Sequence, residues 1–370
     1  MTPKTILTCD VKVDDTLLKA CDPFDYKFDG RSAFELPDFK APARDGKWSI
    51  GLIVGPSGSG KSQLLARNYG LTPPVAWNSE IAIVSHFNDA TDATARFGAV
   101  GLNSVPTWCR PFHLLSNGEQ FRANLARLVD SNTSFDEFTS VVDRNVAKAC
   151  SFALQRWIRS SGKTGVVFSS CHYDIAEWLM PDWIFDTQSS TLTSGRSLCR
   201  RPDIRLTIKQ CDHRAWGIFK RHHYMSESFN RAAKCFVAYY GDSLIGFTSA
   251  LPMPSGTLQN AWREHRTVIL PDFQGLGLGV RLSDWLGEHM KSLGKRFYSL
   301  TVHPRMGEYR NKSSLWRATS SNGRSRNRKG NAGAPGLEKT NRFGRPVYSH
   351  EYIGARNISQ KLLDVAPSIP

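Results

Sequence analysis

The sequence predicts an α/β chain of two domains, each organised round a glycine-rich turn between an apolar strand and an amphipathic helix. Three observations carry this. The chain has 370 residues, enough for two domains that each bury a core. Glycine turns occur twice, at 55–62 and at 274–279. Charge divides sharply along the chain. Residues 1–198 carry 20 Lys+Arg and 21 Asp+Glu, a net of −1, whereas residues 199–370 carry 28 and 12, a net of +16. The polar stretch DTQSSTLTSGRSLCRRPD, Asp186–Asp203, lacks apolar periodicity and reads as the junction. The expected organisation is a first domain over 1–188, a linker over 189–204 and a second domain over 205–370.

Composition excludes several classes. Hydrophobic residues make up 40% of the chain, and no apolar run approaches the roughly 18 residues of a membrane span. The N-terminal MTPKTILTCDVKVDD lacks the apolar core of a secretory signal. Eight cysteines are scattered without a C-x-x-C pair, which argues against a zinc ribbon or disulfide framework. These features predict a cytoplasmic protein with no membrane partner. A domain of net charge +16 repels itself unless it meets a polyanion, and nucleic acid is the usual one.

In the first domain, WSIGLIVGPSGSGKSQLLARNYG reads as buried strand, loop and helix start. Gly55-Pro-Ser-Gly-Ser-Gly-Lys-Ser62 fits G-x-x-x-x-G-K-[ST], the P-loop. Gly55, Gly58 and Gly60 let backbone N–H groups turn inward round phosphates; Lys61 would reach the β and γ oxygens, and Ser62 would ligate Mg²⁺. Downstream come LLSNGEQFRANLARLV, FDEFTSVVD and TGVVFSSCHYD. Leu115–Glu119 (LSNGE) resembles the LSGGE signature of ABC-type ATPases, and 135–143 resembles that family's DEPTSxLD. The resemblance implies that Asp136 holds the Mg²⁺ shell, Glu137 polarises the attacking water, Asp143 is the aspartate of the following loop, and His172 senses the γ-phosphate. It also implies that Ser116 and Gly118 cap the nucleotide of a second copy, in an ATP-dependent homodimer. The residues before Asp136 are polar, so the strand there is expected to be weak. No Gln lies between Gln63 and Gln120, so the loop that couples such ATPases to transport partners is absent or replaced.

The second domain opens with a different pattern. AAKCFVAYYGDSLIGFTSALPMP reads as two strands joined by YGDS. HRTVILPDFQGLGLGVRLSDWLGEHMKSLGKRFYSLTV gives strand, glycine turn, helix and strand, with Leu278, Leu282, Leu286 and Met290 at spacings of four. Within it, Gln274-Gly275-Leu-Gly277-Leu-Gly279 fits Q-x-x-G-x-G. The run is similar to the acetyl-CoA-binding core of GNAT acyltransferases, in which the helix N-terminus receives a pyrophosphate, and Arg281 would add a cation. A dinucleotide-binding alternative requires an acidic ribose ligand and a longer βαβ run, and neither is seen.

KRHHYMSESFN, Lys220–Asn230, precedes the hairpin. The order R-H-H-Y-x-S, strand, hairpin and glycine turn resembles the phage Mom family, GNAT-related enzymes that modify adenine in DNA. That resemblance implies His223 and Tyr224 as catalytic residues, a neutral imidazole for the acceptor's proton and a phenol for the leaving thiolate. His303 and Trp316 stand where that family has an aspartate and a tyrosine. A metal at the paired histidines finds no partner carboxylate at ligand spacing. Residues 305–329 carry eight basic residues and one acid, with Tyr309 and Trp316 interleaved, and a basic loop is expected over 320–346. Such a stretch screens phosphates and can stack on an exposed base.

The expected architecture is therefore a P-loop ABC-type nucleotide-binding domain followed by a GNAT-like α+β acyltransferase domain, with ATP, Mg²⁺ and acetyl-CoA as cofactors. The leading expectation is acyl-CoA-dependent modification of a nucleic-acid base, DNA adenine. Two alternatives stay open: an N-acetyltransferase acting on protein, tRNA or small amines, and an ATP-gated nucleic-acid-binding module with an inactive transferase half.

Overall fold

The computed structural model describes residues 5–195, 202–223, 228–325 and 346–354. The chain divides into two compact units. One comprises Met1–Val100 and Arg110–Pro202, the other Gly101–Cys109 and Asp203–Pro370. Among the described residues no helix is long and apolar enough to cross a membrane.

The first unit begins with an antiparallel hairpin, β1 (Ile6–Asp10) and β2 (Arg31–Glu35), linked through α1 (Asp15–Cys21). Its main sheet starts at β3 (Ile50–Val54), five consecutive buried residues, as expected of a strand covered on both faces. The remaining elements are α2 (Lys61–Tyr69), α3 (Ala90–Ala99), α5 (Asn117–Leu128), β4 (Ser134–Phe135), α6 (Arg144–Ser160), β5 (Val166–Ser170), α7 (Ala176–Leu179), β6 (Trp183–Asp186) and β7 (Thr191–Ser194); the short α4 (Val105–Trp108) belongs to the second unit. The strand order is β4-β5-β3-β6-β7, with the first four parallel and β7 antiparallel to β6. Strand β4 is only two residues long, because the polar run before it offers little to bury. Asp143 caps α6 by accepting from Asn145 N at 2.8 Å, so the aspartate matched to the ABC loop serves here as a helix cap. One expectation fails in detail. The stretch assigned to a linker carries β7, whose four residues are exposed and pair with β6, and so leave no apolar pattern in the sequence.

The second unit is one long sheet with helices on it. It comprises β8 (Thr207–Cys211), α8 (Trp216–Phe219), β9 (Lys234–Tyr240), β10 (Ser243–Pro252), β11 (Ala261–Ile269), α9 (Leu278–Ser292), β12 (Arg296–Thr301), α10 (Pro304–Lys312), β13 (Trp316–Ala318), β14 (Arg324–Ser325) and β15 (Pro346–Tyr352). The order is β13-β15-β12-β11-β10-β9-β8, with β14 also pairing β15. Strands β9 and β10 form the expected hairpin, and its two-residue turn has Gly241 at φ 57. Leu278, Leu282, Leu286 and Met290 are all buried against the sheet, as their spacing predicts.

A buried ion pair ties this unit together. Glu264 on β11 accepts from Ser299 Oγ on β12 and Thr267 Oγ1, each at 2.6 Å, and pairs with Arg310 of α10 at 2.6 Å. Burial alone would raise the Glu264 pKa. The Arg310 charge and the surrounding hydroxyls outweigh it, and the carboxyl sits below its ordinary range. Arg310 is 1% exposed and lies over the Trp316 ring, 4.6 Å from its centroid. Glu264→Ala would leave that guanidinium buried without its counter-charge, so urea unfolding of the variant should show a loss of about 3–5 kcal/mol.

Candidate functional site

Three parallel strands deliver their carboxyl ends to one place in the first unit. β3 runs into the 55–60 loop, β4 into Asp136 and Glu137, and β5 into Ser170 and Cys171. A cavity of about 430 Å³ opens there, lined by Leu7, Phe34, residues 57–63, Asp136, Glu137, Ser140 and Cys171. In open α/β sheets ligands bind at this end of the strands. Gly58 and Gly60 have φ of 76° and 88°, which only glycine adopts without strain, and Gly60 opens α2. Lys61 Nζ donates to Pro56 O at 2.6 Å, so its ammonium rests on the loop itself.

Sequence reasoning named Lys61, Ser62, Asp136 and Glu137 for this site, and all four line the cavity. It did not name Ser169. The Ser169 hydroxyl donates to Asp136 Oδ1, which also accepts from Glu137 N at 2.9 Å, so the carboxylate is oriented from the strand beside it. Glu137 and Thr139 both take positive φ, 49° and 71°, a strained run held by its surroundings. His172 lies one residue beyond Cys171 and outside the lining. Its Nδ1 is 3.3 Å from Thr139 Oγ1, and burial, then the nearby Arg144, lowers its pKa below the usual value.

Ser116 and Gly118 do not line the cavity. Ser116 caps α5 in a capping box with Glu119, and a Cβ on Gly118 would lie 3.3 Å from Val142. Phe34 and Leu7, on the hairpin, were also missed. Phe34 is 41% exposed and lies beside the glycine turn, where a Cβ on Gly60 would meet its ring at 3.1 Å. Nothing in the local sequence signals a contact between 34 and 60.

In the second unit, β11 and β12 run parallel and pair at three positions only, Ala261↔Arg296, Trp262↔Phe297 and Arg263↔Tyr298. Beyond these, both strands continue without pairing to each other, so backbone groups on their facing edges are left to other partners. At the end of β11 the chain turns through Gly275 (φ 97) and Gly277 (φ 77), and Gly277 opens the 15-residue helix α9. Gly279 lies in its first turn, with Ile269 3.7 Å from an added Cβ. Arg281 is exposed one turn in. Gln274 braces the turn, its Nε2 donating to Ile269 O at 2.8 Å and its backbone N to Pro271 O at 3.2 Å. Such a helix N-terminus with a glycine turn suits an anion.

His223 follows a short helical turn and meets the Trp216 ring edge-on at 5.5 Å. Burial, then Arg266 and His265, lower its pKa to about 4. Tyr224 lies outside the described residues. Sequence reasoning missed His265. A register shift between β10 and β11 pairs Ser249 with Arg266 and Ala250 with Glu264, leaving His265 in a bulge. His265 Nε2 accepts from Asn230 N at 3.3 Å, and its ring lies 4.9 Å from Phe229, which stacks on Trp216. Burial, then Arg266, lower His265 to about 4 as well. Both imidazoles are therefore neutral near pH 7.

The later residues are corrected by the structure. Trp316 is 5% exposed and donates to Asp284 Oδ1 at 2.7 Å, while Tyr309 OH donates to Asp284 Oδ2. Trp316 is a packing residue and presents no stacking surface, whereas Tyr309 is half-buried. His303 is the N-cap residue of α10 and is exposed. Most of the basic loop 320–346 lies outside the described residues.

Residues 201–308 match the model of the acetyltransferase (GNAT) family. The match falls in the second half of the chain. No curated protein matches the chain. Among solved structures it is similar to the ATP-binding cassette MJ0796, a dimer in a post-hydrolysis state bound to ADP and Pi, at 16% identity over 46% of this chain and 94% of that one, TM-score 0.35. It is also similar to a Bacillus subtilis acetyltransferase in complex with CoA, at 14% identity over 40% and 98%, TM-score 0.29. The IAA acetyltransferase from Bacillus cereus ATCC 14579 is 18% identical over 31% and 79%, TM-score 0.25.

Proposed function

We propose that the chain binds ATP in its first unit and transfers an acyl group from acetyl-CoA in its second, with a nucleic-acid base, DNA adenine, as acceptor. The observation that carries the reading is the repetition of one device. Each unit places a positive-φ glycine turn between a strand end and a helix N-terminus, the arrangement that grips phosphates.

In the first unit Lys61 supplies the charge for the terminal phosphates, and Phe34 with Leu7 gives the cavity an apolar wall for the base. Aromatic–base stacking is worth about 1–3 kcal/mol, so Phe34→Ala should weaken ATP by about 5- to 150-fold in calorimetry while leaving inorganic triphosphate almost unaffected. Ser62 and Asp136 line the same cavity and offer the oxygen donors that Mg²⁺ takes together with phosphates and water. When bound, the ion would neutralise phosphate charge. Glu137 is the group that would orient the attacking water, and His172 the one that would report the terminal phosphate. Ser116 and Gly118 stand at the N-terminus of α5, away from their own chain's cavity, and would cap a nucleotide held by a second copy in an ATP-dependent homodimer.

In the second unit, the stretches of β11 and β12 that no longer pair with each other suit an extended amide chain such as the pantetheine arm, and the Gln274–Gly279 turn with Arg281 its pyrophosphate. His223 takes the acceptor's proton, and Tyr224 is assigned to the leaving thiolate. An imidazole held near 4 suits an acceptor that arrives neutral, as a base amino group does, better than an alkylammonium near 10.4. The net charge of +16 over 199–370 supports a polyanionic partner. An adenine inside a duplex has to be flipped out to react.

The test is nucleoside mass spectrometry. DNA from cells expressing the chain should contain an acylated adenosine that the His223→Ala variant does not produce. If only standard nucleosides appear while labelled acetyl-CoA passes to tRNA, protein or small amines, the acceptor is wrong and the transferase stands.

A further inference from the structure

We propose that Thr187 is a positioning residue of the phosphate loop, setting its shape through Ser59 before any nucleotide arrives. The inference rests on reading residues 55–62 as an ATP site and adds a residue that no loop pattern contains. Thr187 follows β6, the neighbour of β3. Its backbone N–H donates to Val54 O at 2.9 Å, extending the ladder to the last residue before the loop. Its Oγ1 donates to the same carbonyl at 3.2 Å and lies 2.6 Å from Ser59 Oγ.

A hydroxyl has a single proton. In the proposed relay Thr187 gives its own to Val54 and Ser59 donates to Thr187, so that it runs Ser59 to Thr187 to the Val54 carbonyl. The Ser59 proton is drawn away from the cavity that the residue lines, leaving the turn to face a ligand with its backbone N–H groups. Thr187 is 5% exposed, so water does not compete for the relay. Gly55 shows how close the approach is. A Cβ there would lie 1.8 Å from Thr187 Oγ1 and 2.9 Å from Ser59 Oγ. The glycine at 55 is thus required by Thr187 as much as by any phosphate. A second tie, Ser59 N to Pro56 O at 3.3 Å, closes the loop on itself. A loop held in its binding shape spends less entropy when ligand orders it.

The experiment is calorimetric ATP titration of the full chain carrying Thr187→Val, Thr187→Ser, Ser59→Ala, or Ser59→Ala with Thr187→Val, with acetyl-CoA titration and the urea midpoint measured alongside. One neutral hydrogen bond is worth about 1 kcal/mol, so Thr187→Val and Ser59→Ala should each weaken ATP about fivefold. The double variant should be no worse than either single one, Thr187→Ser should restore parental affinity, and acetyl-CoA affinity should not move. Should Thr187→Val fail to fold, Ser59→Ala approaches the same relay from the loop side. Parental ATP affinity in both single variants overturns the proposal, as does full additivity in the double variant. A parent chain that binds no ATP overturns the nucleotide reading itself, and the positioning role with it.

Discussion

Lys61→Ala should abolish useful ATP binding while leaving acetyl-CoA binding intact. Lys61 begins α2, lines the cavity and has no carboxylate partner among the described residues; its ammonium rests on Pro56 O at 2.6 Å, a contact easily exchanged for a phosphate. Removing a charge that is hydrogen-bonded to an enclosed ligand costs about 2–5 kcal/mol, so the dissociation constant should rise by at least about 30-fold. The side chain stands at the mouth of a loop and outside the core, so the unfolding midpoint should hardly change. Calorimetry of the variant with ATP and then with acetyl-CoA checks both halves. An equal loss of both ligands would mean that the two turns do not act as separate sites.

The second large effect belongs to His223. Removing a general base costs about 10²- to 10⁴-fold in rate, so His223→Ala should slow acyl transfer by that factor with acetyl-CoA affinity retained. The pH dependence follows from the direction of its shift. Burial, Arg266 and His265 bring His223 down to about 4, so the neutral base form persists across the physiological range. The part of the rate that depends on it should be flat from pH 8 to about 5 and fall as pH drops through 4. Stability moves in the same sense. An unfolded histidine takes its proton near 6.5, so each imidazole held near 4 in the fold, His223, His265 and His350 alike, favours unfolding as pH falls from 6.5 toward 4. Transfer rates and melting temperatures across that window check the two consequences.

How much of this was legible in the sequence depends on distance along the chain. The strand before Gly55 and the Leu278–Met290 stripe were plain, because a buried strand and an amphipathic helix write their periodicity into adjacent residues. The residues lining the cavity of the first unit that were found, Lys61, Ser62, Asp136 and Glu137, belong to compact motifs. Those missed act across the fold. Phe34 reaches Gly60 from a hairpin, Ser169 orients Asp136 from the neighbouring strand, and Thr187 holds Ser59 from 128 residues away. His265 was missed for another reason. A bulge displaces it from the alternation of β11, so simple strand periodicity assigns it the wrong face. Trp316 erred in the opposite direction: its basic neighbours suggested a stacking surface, whereas its indole is buried on Asp284.

On the proposed function one chain holds two phosphate-gripping turns, the earlier for a nucleotide and the later for a coenzyme. Sequential calorimetric titration of the purified chain, ATP first and acetyl-CoA second, tests it most directly. Two saturable binding events are expected, the first lost in Lys61→Ala and the second unaffected by that change. Heat from ATP with none from acetyl-CoA at any concentration would contradict it.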